Sequence, residues 1–259
     1  MNAIESFFIL LGGLWAGTIN TVVGSGTLVT FPILIALGIT PVMAVVSNAM
    51  GLIAGGVSGV WGYRSELRGM KHNLLRLMPA SLLGGVTGAY LLLHLPEKVF
   101  LYVAPILIVL ALLLVIFQPK LQRAIKARRA GAPSARSHEV LMFALIFLTG
   151  VYGGYFVAAQ GVLLVAILGI FMSGTLQNAN AVKNVLTLTV NCVAAVSYLI
   201  FAPDKIIWIV VGLIAVSSLV GGFVGAKIGR RLSPIVLRSV IVTLGLVALY
   251  FMAIKLLEA

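Results

Sequence analysis

Negative charge is almost missing from this chain. Its 259 residues include 6 acids against 18 Lys and Arg. Glu5, Glu66, Glu97, Glu139, Asp204 and Glu258 all fall at or near the edges of apolar runs. A carboxylate proton relay through an apolar interior is thereby excluded. Histidine is as scarce: His72, His94 and His138 sit near run ends, and no two have the spacing of a zinc pair. A single cysteine, Cys192, excludes an intramolecular disulfide and a cysteine metal cluster. The G-x-S-x-G elbow and the P-loop are absent too. The expectation is therefore no catalytic residue, no metal site and no cofactor, and an enzyme is the weakest of the readings.

What is present is apolar. With 61% hydrophobic residues, 9% charged residues and a mean hydropathy of +1.16, the chain cannot cover itself with a polar surface. It reads as an all-α polytopic membrane protein whose first partner is the lipid bilayer. The start, Met1-Asn2-Ala3-Ile4-Glu5, has no basic n-region and no cleavage site, so the first apolar segment is expected to remain. A net charge of +12 would suit nucleic acid. The basic residues instead gather in short loops between apolar runs, where they orient spans, and no base-reading fold accompanies them. Nucleic acid is not an expected partner.

Two of the apolar runs are interrupted. Phe7 to Leu37 is broken at Gly24-Ser25-Gly26, and Val140 to Met172 at Ala158-Ala159-Gln160-Gly161. Each is long for one crossing and short for two. Unwound backbone survives in a membrane only inside protein or against a wet cavity, because bare N–H and C=O groups cost several kcal/mol there. Three uninterrupted spans follow each break: Pro41–Tyr63, Leu74–Leu93 and Val99–Phe117, then Ala179–Phe201, Ile206–Ile228 and Ile235–Ile254. The basic stretch Pro119–His138 lies between. The division is thus residues 1–118, a first membrane repeat; 119–138, a basic cytoplasmic linker; and 139–259, a second membrane repeat.

The halves echo each other. Gly13-Leu14-Trp15-Ala16-Gly17 matches Gly150-Val151-Tyr152-Gly153-Gly154, and Ser81 to Ala89 matches Ser218 to Ala226, both at one offset. Glycines four apart put two bare patches on one helix face, which favours close helix packing over ligand contact. If the basic linker and the loops 64–71 and 229–234 are cytoplasmic, each broken segment must count as an even number of crossings, either a re-entrant hairpin or two tilted passes. Both termini then lie outside, and the two halves have opposite orientations. The fold expected is two inverted-topology repeats, each a Gly-broken helical hairpin plus three transmembrane helices. Alternating-access transporters build central sites in this way.

Gly17, Gly24-Ser25-Gly26, Pro32, Gly38-Ile39-Thr40-Pro41 and Ser47-Asn48, with Gly150 to Phe156 and Ala181-Val182-Lys183, resemble the TauE/SafE family of bacterial membrane transporters, the sulfite exporter and sulfonate permease group. The resemblance covers nearly the whole chain. It implies a multi-pass protein of the bacterial inner (plasma) membrane that moves small, often sulfur-containing anions.

Residue chemistry points the same way. Lys183 is the one charged residue well inside a run; a buried ammonium should face a wet interior, and the alternative is snorkelling to the interface. Near it, or near the breaks, lie Asn20, Thr21, Ser25, Ser47, Asn48, Gln160, Gln177, Asn178, Asn180, Asn184 and Asn191. Amide and hydroxyl donors with one cation and no carboxylate suit an oxyanion and suit a metal cation badly. The substrate-binding residues expected are Asn20, Gly24, Ser25, Gly26, Ser47, Asn48, Gln160, Gly161, Lys183, Asn184 and Asn191. A secondary transporter for a small anion is the leading reading; a passive anion channel and a non-transporting membrane anchor are the alternatives.

Overall fold

The computed structural model describes residues 1–128, 136–228 and 234–257. Among them every regular element is helical. The first half contains α1 (Ala3–Val22), α2 (Thr27–Ala36), α3 (Pro41–Gly62), α4 (Lys71–His94) and α5 (Glu97–Arg128). The second contains α6 (Arg136–Phe156), α7 (Gln160–Phe171), α8 (Leu176–Phe201), α9 (Trp208–Ile228) and α10 (Pro234–Leu257). Seven of these are long and apolar enough to cross a membrane, namely α1, α3, α4, α5, α6, α8 and α9. Helices α2 and α7, of 10 and 12 residues, are too short to do so. At 1.5 Å per residue they reach about 15 and 18 Å, half of a hydrocarbon core. Each broken run is therefore unequal, with one full-length arm and one half-length arm.

Local chemistry sets these ends. Asn2 opens α1 with a capping box, accepting from Glu5 N at 2.8 Å while Glu5 accepts from Asn2 N at 2.9 Å. Thr175 and Asn178 do the same for α8, and Pro41 starts α3 where its missing N–H costs nothing. Beyond Phe117 the helix α5 continues through Pro119 to Arg128, and α6 begins at Arg136, so the basic stretch is helical at both ends. Residues 129–135 lie outside the described part, as do Arg230 and Arg231 in the basic loop of the second half.

Contacts between helices establish direction. Gly13 and Gly17 of α1 lie against Ser217 and Ser218 of α9, while Gly221 and Gly225 of α9 lie against Leu14 and Thr18 of α1. These two helices are parallel. On α3, Gly51, Gly55 and Gly62 meet Ile214, Ser218 and Ala226, so α3 is parallel to α9 as well. Helix α4 runs with α6: Gly84 meets Phe147 and Gly150, and Gly88 meets Val151 and Tyr155. Arg76 of α4 also ion-pairs with Glu139 of α6. By contrast, Leu188 of α8 faces Gly56, and Asn178 donates to the Glu66 carbonyl beyond the end of α3 at 2.7 Å. Helices α3 and α8 are therefore antiparallel.

The repeated Gly motifs pair with each other in packing, α1 with α9 and α4 with α6, where small residues let backbones touch. The short helices follow suit, α2 packing on α10 and α7 on α5. Every one of these four contacts joins one half to the other. Within the first break the chain turns back on itself: Gly26 rests against Ala16 and Asn20, and Ile33 against Gly12. Helix α2 thus returns along α1 instead of extending it.

Candidate functional site

The two breaks meet. Gly161 N donates to Gly24 O at 3.0 Å, and a Cβ on either glycine would stand 2.4 Å from the other's Cα. Only glycine permits that approach. Gly24 also needs its φ of +90° to end α1, where its N–H returns to Ile19 O at 3.0 Å. In the second half the turn is made without glycine: Val157 and Ala159 sit at φ of 67° and 56°. Left-handed backbone at a β-branched residue costs about 1–3 kcal/mol, strain that the surrounding packing must hold. The unwound residues are 157–159, and Gln160 opens α7.

Neither α2 nor α7 has a side-chain cap at its N-terminus. Their first N–H groups form the positive ends of two helix dipoles. One of them, Gly161 N–H, is already spent on the carbonyl of the first break.

The C-terminal end of α1 is capped from outside its own chain segment. Lys183 Nζ donates to Asn20 O at 2.9 Å and to Thr21 O at 3.1 Å. Asn180 Nδ2 and Asn184 Nδ2 reach the same Thr21 carbonyl at 3.3 and 3.4 Å. All three donors come from α8. A helix that stops inside a membrane protein leaves its last carbonyls bare, and a cation at that negative end is stabilised by up to about 2 kcal/mol. Lys183 is 0% exposed. It does not snorkel; it turns inward to the break.

The other expected residues divide. Ser25 and Gln160 are both 0% exposed, and the Ser25 hydroxyl and both amide atoms of Gln160 have no partner among the described residues. The Gln160 amide lies against Gly153 of α6. Asn191, on α8, is buried, and its Oδ1 has no partner among the described residues. Asn48 joins the break to α3: it accepts from Thr30 Oγ1 at 2.5 Å and donates to Thr27 Oγ1 at 3.0 Å, both on the first turn of α2. Ser47 is occupied elsewhere. Its Oγ accepts from Ile207 N at 3.0 Å, which fastens α3 to the start of α9. Asn20 contributes its carbonyl, and its Cβ packs beside Gly26.

One pattern runs through all of these positions. The sulfite exporter TauE/SafE family model matches residues 9–252, from α1 to α10 and across both breaks. The chain belongs to the TauE/SafE family. A protein of Escherichia coli strain K12 named "Probable membrane transporter protein YfcA" is 29% identical over 245 residues, covering 90% of this chain and 85% of that protein. A "Probable membrane transporter protein" of Haemophilus influenzae is 24% identical over 232 residues, covering 89% and 87%. No solved structure gives a significant match.

Several buried polar groups of this TauE/SafE chain lie outside the set expected from its sequence. Ser81 and Thr187 are buried, and their hydroxyls, like the buried hydroxyls of Tyr152 and Tyr155 on α6, have no partner among the described residues. Thr187 lies four residues from Lys183 and from Asn191, a helical spacing that could have found it. Ser81 is marked in the sequence only as the start of the repeated motif it shares with Ser218, which points to packing.

Proposed function

We propose that this TauE/SafE chain is a secondary transporter of a small anion in the bacterial inner membrane, working by alternating access around the meeting point of its two breaks. The observation that carries this reading is the Gly24–Gly161 contact within buried polar groups that include one cation and, among the described residues, no carboxylate. An oxyanion finds there what it needs in place of water: an ammonium, amide and hydroxyl donors, and two uncapped helix N-termini. The family description, a sulfite exporter, supports sulfite, and a sulfonate presents the same oxyanion chemistry.

Residues 1–118 and 139–259 are read as inverted-topology repeats joined by a cytoplasmic linker at 119–138, and because the closest helix contacts join one half to the other, the moving bodies would be α1, α3 and α9 against α4, α6 and α8. Support comes from direction: α3 is antiparallel to α8, its counterpart at the repeat offset, and the α1–α9 contact recurs as α6–α4 with the halves exchanged. No covalent step is required of any side chain.

The test is flux in proteoliposomes preloaded with sulfite. A carrier saturates and accelerates labelled uptake by counter-exchange. Flux without saturation or exchange would make the protein a channel, and no flux of sulfite, thiosulfate, sulfonates or small carboxylates would leave an anchor.

A further inference from the structure

Helix α8 carries more polar groups than the break uses. Asn180, Lys183, Asn184, Thr187 and Asn191 recur at steps of three and four, so they form one stripe, and all five are buried. The opposite face exposes Cys192, Val196 and Ile200. Asn180, Lys183 and Asn184 are spent on the end of α1. Thr187 and Asn191, about 6 and 12 Å further along by helical rise, are not.

Thr187 is the informative one. A threonine within a helix can satisfy its hydroxyl on the carbonyl four residues back. Thr18 does so with Leu14 O at 2.9 Å, Thr149 with Leu145 O at 2.7 Å, and Thr189 with Val185 O at 3.0 Å. Thr187, only 5% exposed, leaves the Lys183 carbonyl and finds no other partner among the described residues.

Across from it stands Ser81. Leu77 and Ala80 of α4 share an apolar cluster with Val182 and Leu186 of α8, and Gly85 faces Val190, so Ser81 lies level with Leu186 and Thr187. Ser81 is 0% exposed, and its hydroxyl has no partner among the described residues. Its counterpart in the repeat, Ser218, is fully engaged, donating to Gly51 O at 3.1 Å and accepting from Gly55 N at 3.2 Å. The cause lies in the facing helix. Where α3 presents Gly51 and Gly55 to Ser218, α8 presents Leu186 and Val190 to α4, and their side chains prevent an equally close approach. A Cβ on Gly51 would stand 2.6 Å from α9, whereas one on Gly85 would stand 3.3 Å from α8. The first seam is closed on its polar groups; the second is not.

We propose that the seam between α4 and α8 is a polar passage continuing the central site, with Ser81, Thr187 and Asn191 as the side chains that contact the passing anion. This rests on the transport reading above. Neutral hydroxyl and amide groups can replace the water around a small anion without adding charge that would trap it, leaving selection by charge to Lys183.

The test uses Cys192→Ser chains carrying one new cysteine: Ser81→Cys, Thr187→Cys, Asn191→Cys, or, as the control on the opposite face, Thr189→Cys. Serine and threonine to cysteine are nearly isosteric, and each chain is first checked for wild-type elution in detergent. The probe is the anionic thiol reagent 2-sulfonatoethyl methanethiosulfonate, applied to membranes of both orientations. The passage predicts labelling at positions 81, 187 and 191 at least about tenfold faster than at 189, slowed by added ethanesulfonate, which does not react with the reagent, because an accessible thiol ionises and one buried in apolar surroundings does not. Labelling at 81, 187 and 191 no faster than at 189 would overturn it. Fast labelling in a protein whose wild-type liposomes carry no anion would instead support the passage and refute anion transport.

Discussion

Replacing Lys183 with methionine isolates the charge at the break. The ammonium has three N–H groups, and two are held by Asn20 O and Thr21 O. One remains for substrate. A single charge-assisted hydrogen bond is worth about 1.5–3 kcal/mol, so Lys183→Met should raise the half-saturating anion concentration about tenfold to somewhat over a hundredfold. The fold should tolerate the change better than transport does. Thr21 O keeps Asn180 and Asn184, and removing a desolvated ammonium offsets part of the bond lost at Asn20 O. Lys183→Arg should recover only part of the affinity, since the planar guanidinium keeps the charge but changes the reach, and the Lys183 stem already presses against Gly161. The assay is initial uptake against sulfite concentration in liposomes, corrected for inserted protein. A wild-type half-saturating concentration for Lys183→Met would refute the binding role and leave Lys183 as the cap of α1 alone.

The glycines at the breaks should be as sensitive. A Cβ at Gly26 would stand 2.3 Å from Ala16 O and one at Gly161 2.4 Å from Gly24 Cα, so Gly26→Leu and Gly161→Leu should insert yet carry nothing, while Gly212→Ala, with open space around it, should transport normally. Unchanged flux in both leucine variants would remove the breaks from the site. Asn48→Ala strands the Thr27 and Thr30 hydroxyls at about 1–3 kcal/mol for each buried group left unpaired, so its melting temperature in detergent should fall; an unchanged melt would show that α2 is held by other contacts. A reporter active only in the cytoplasm should be silent when fused after Ala259 and active within the loop 64–71, as the Lys and Arg placement requires. Signal from the C-terminal fusion would mean that one broken segment crosses an odd number of times.

Composition alone settled that this chain lives in a membrane, because 61% hydrophobic residues leave no way to build a wetted surface. The breaks were legible too, since Gly24-Ser25-Gly26 interrupts an apolar run where helix should otherwise continue. So was the exceptional standing of Lys183, the one charge well inside a run and away from the basic ends. The order of helices follows from run length, which is a local property. What Lys183 touches is not local. Its partners are carbonyls at the end of α1, more than 160 positions earlier, and a backbone carbonyl leaves no trace in the identity of Asn20 or Thr21. Ser47 and Asn48 are adjacent in sequence, yet one serves α9 and the other α2, because neighbouring helix positions point about 100° apart. Ser81 and Ser218 are the same residue at the same place in the repeat. Only the helix packed across from each decides which hydroxyl is satisfied, and that depends on whether the facing positions are Gly51 and Gly55 or Leu186 and Val190.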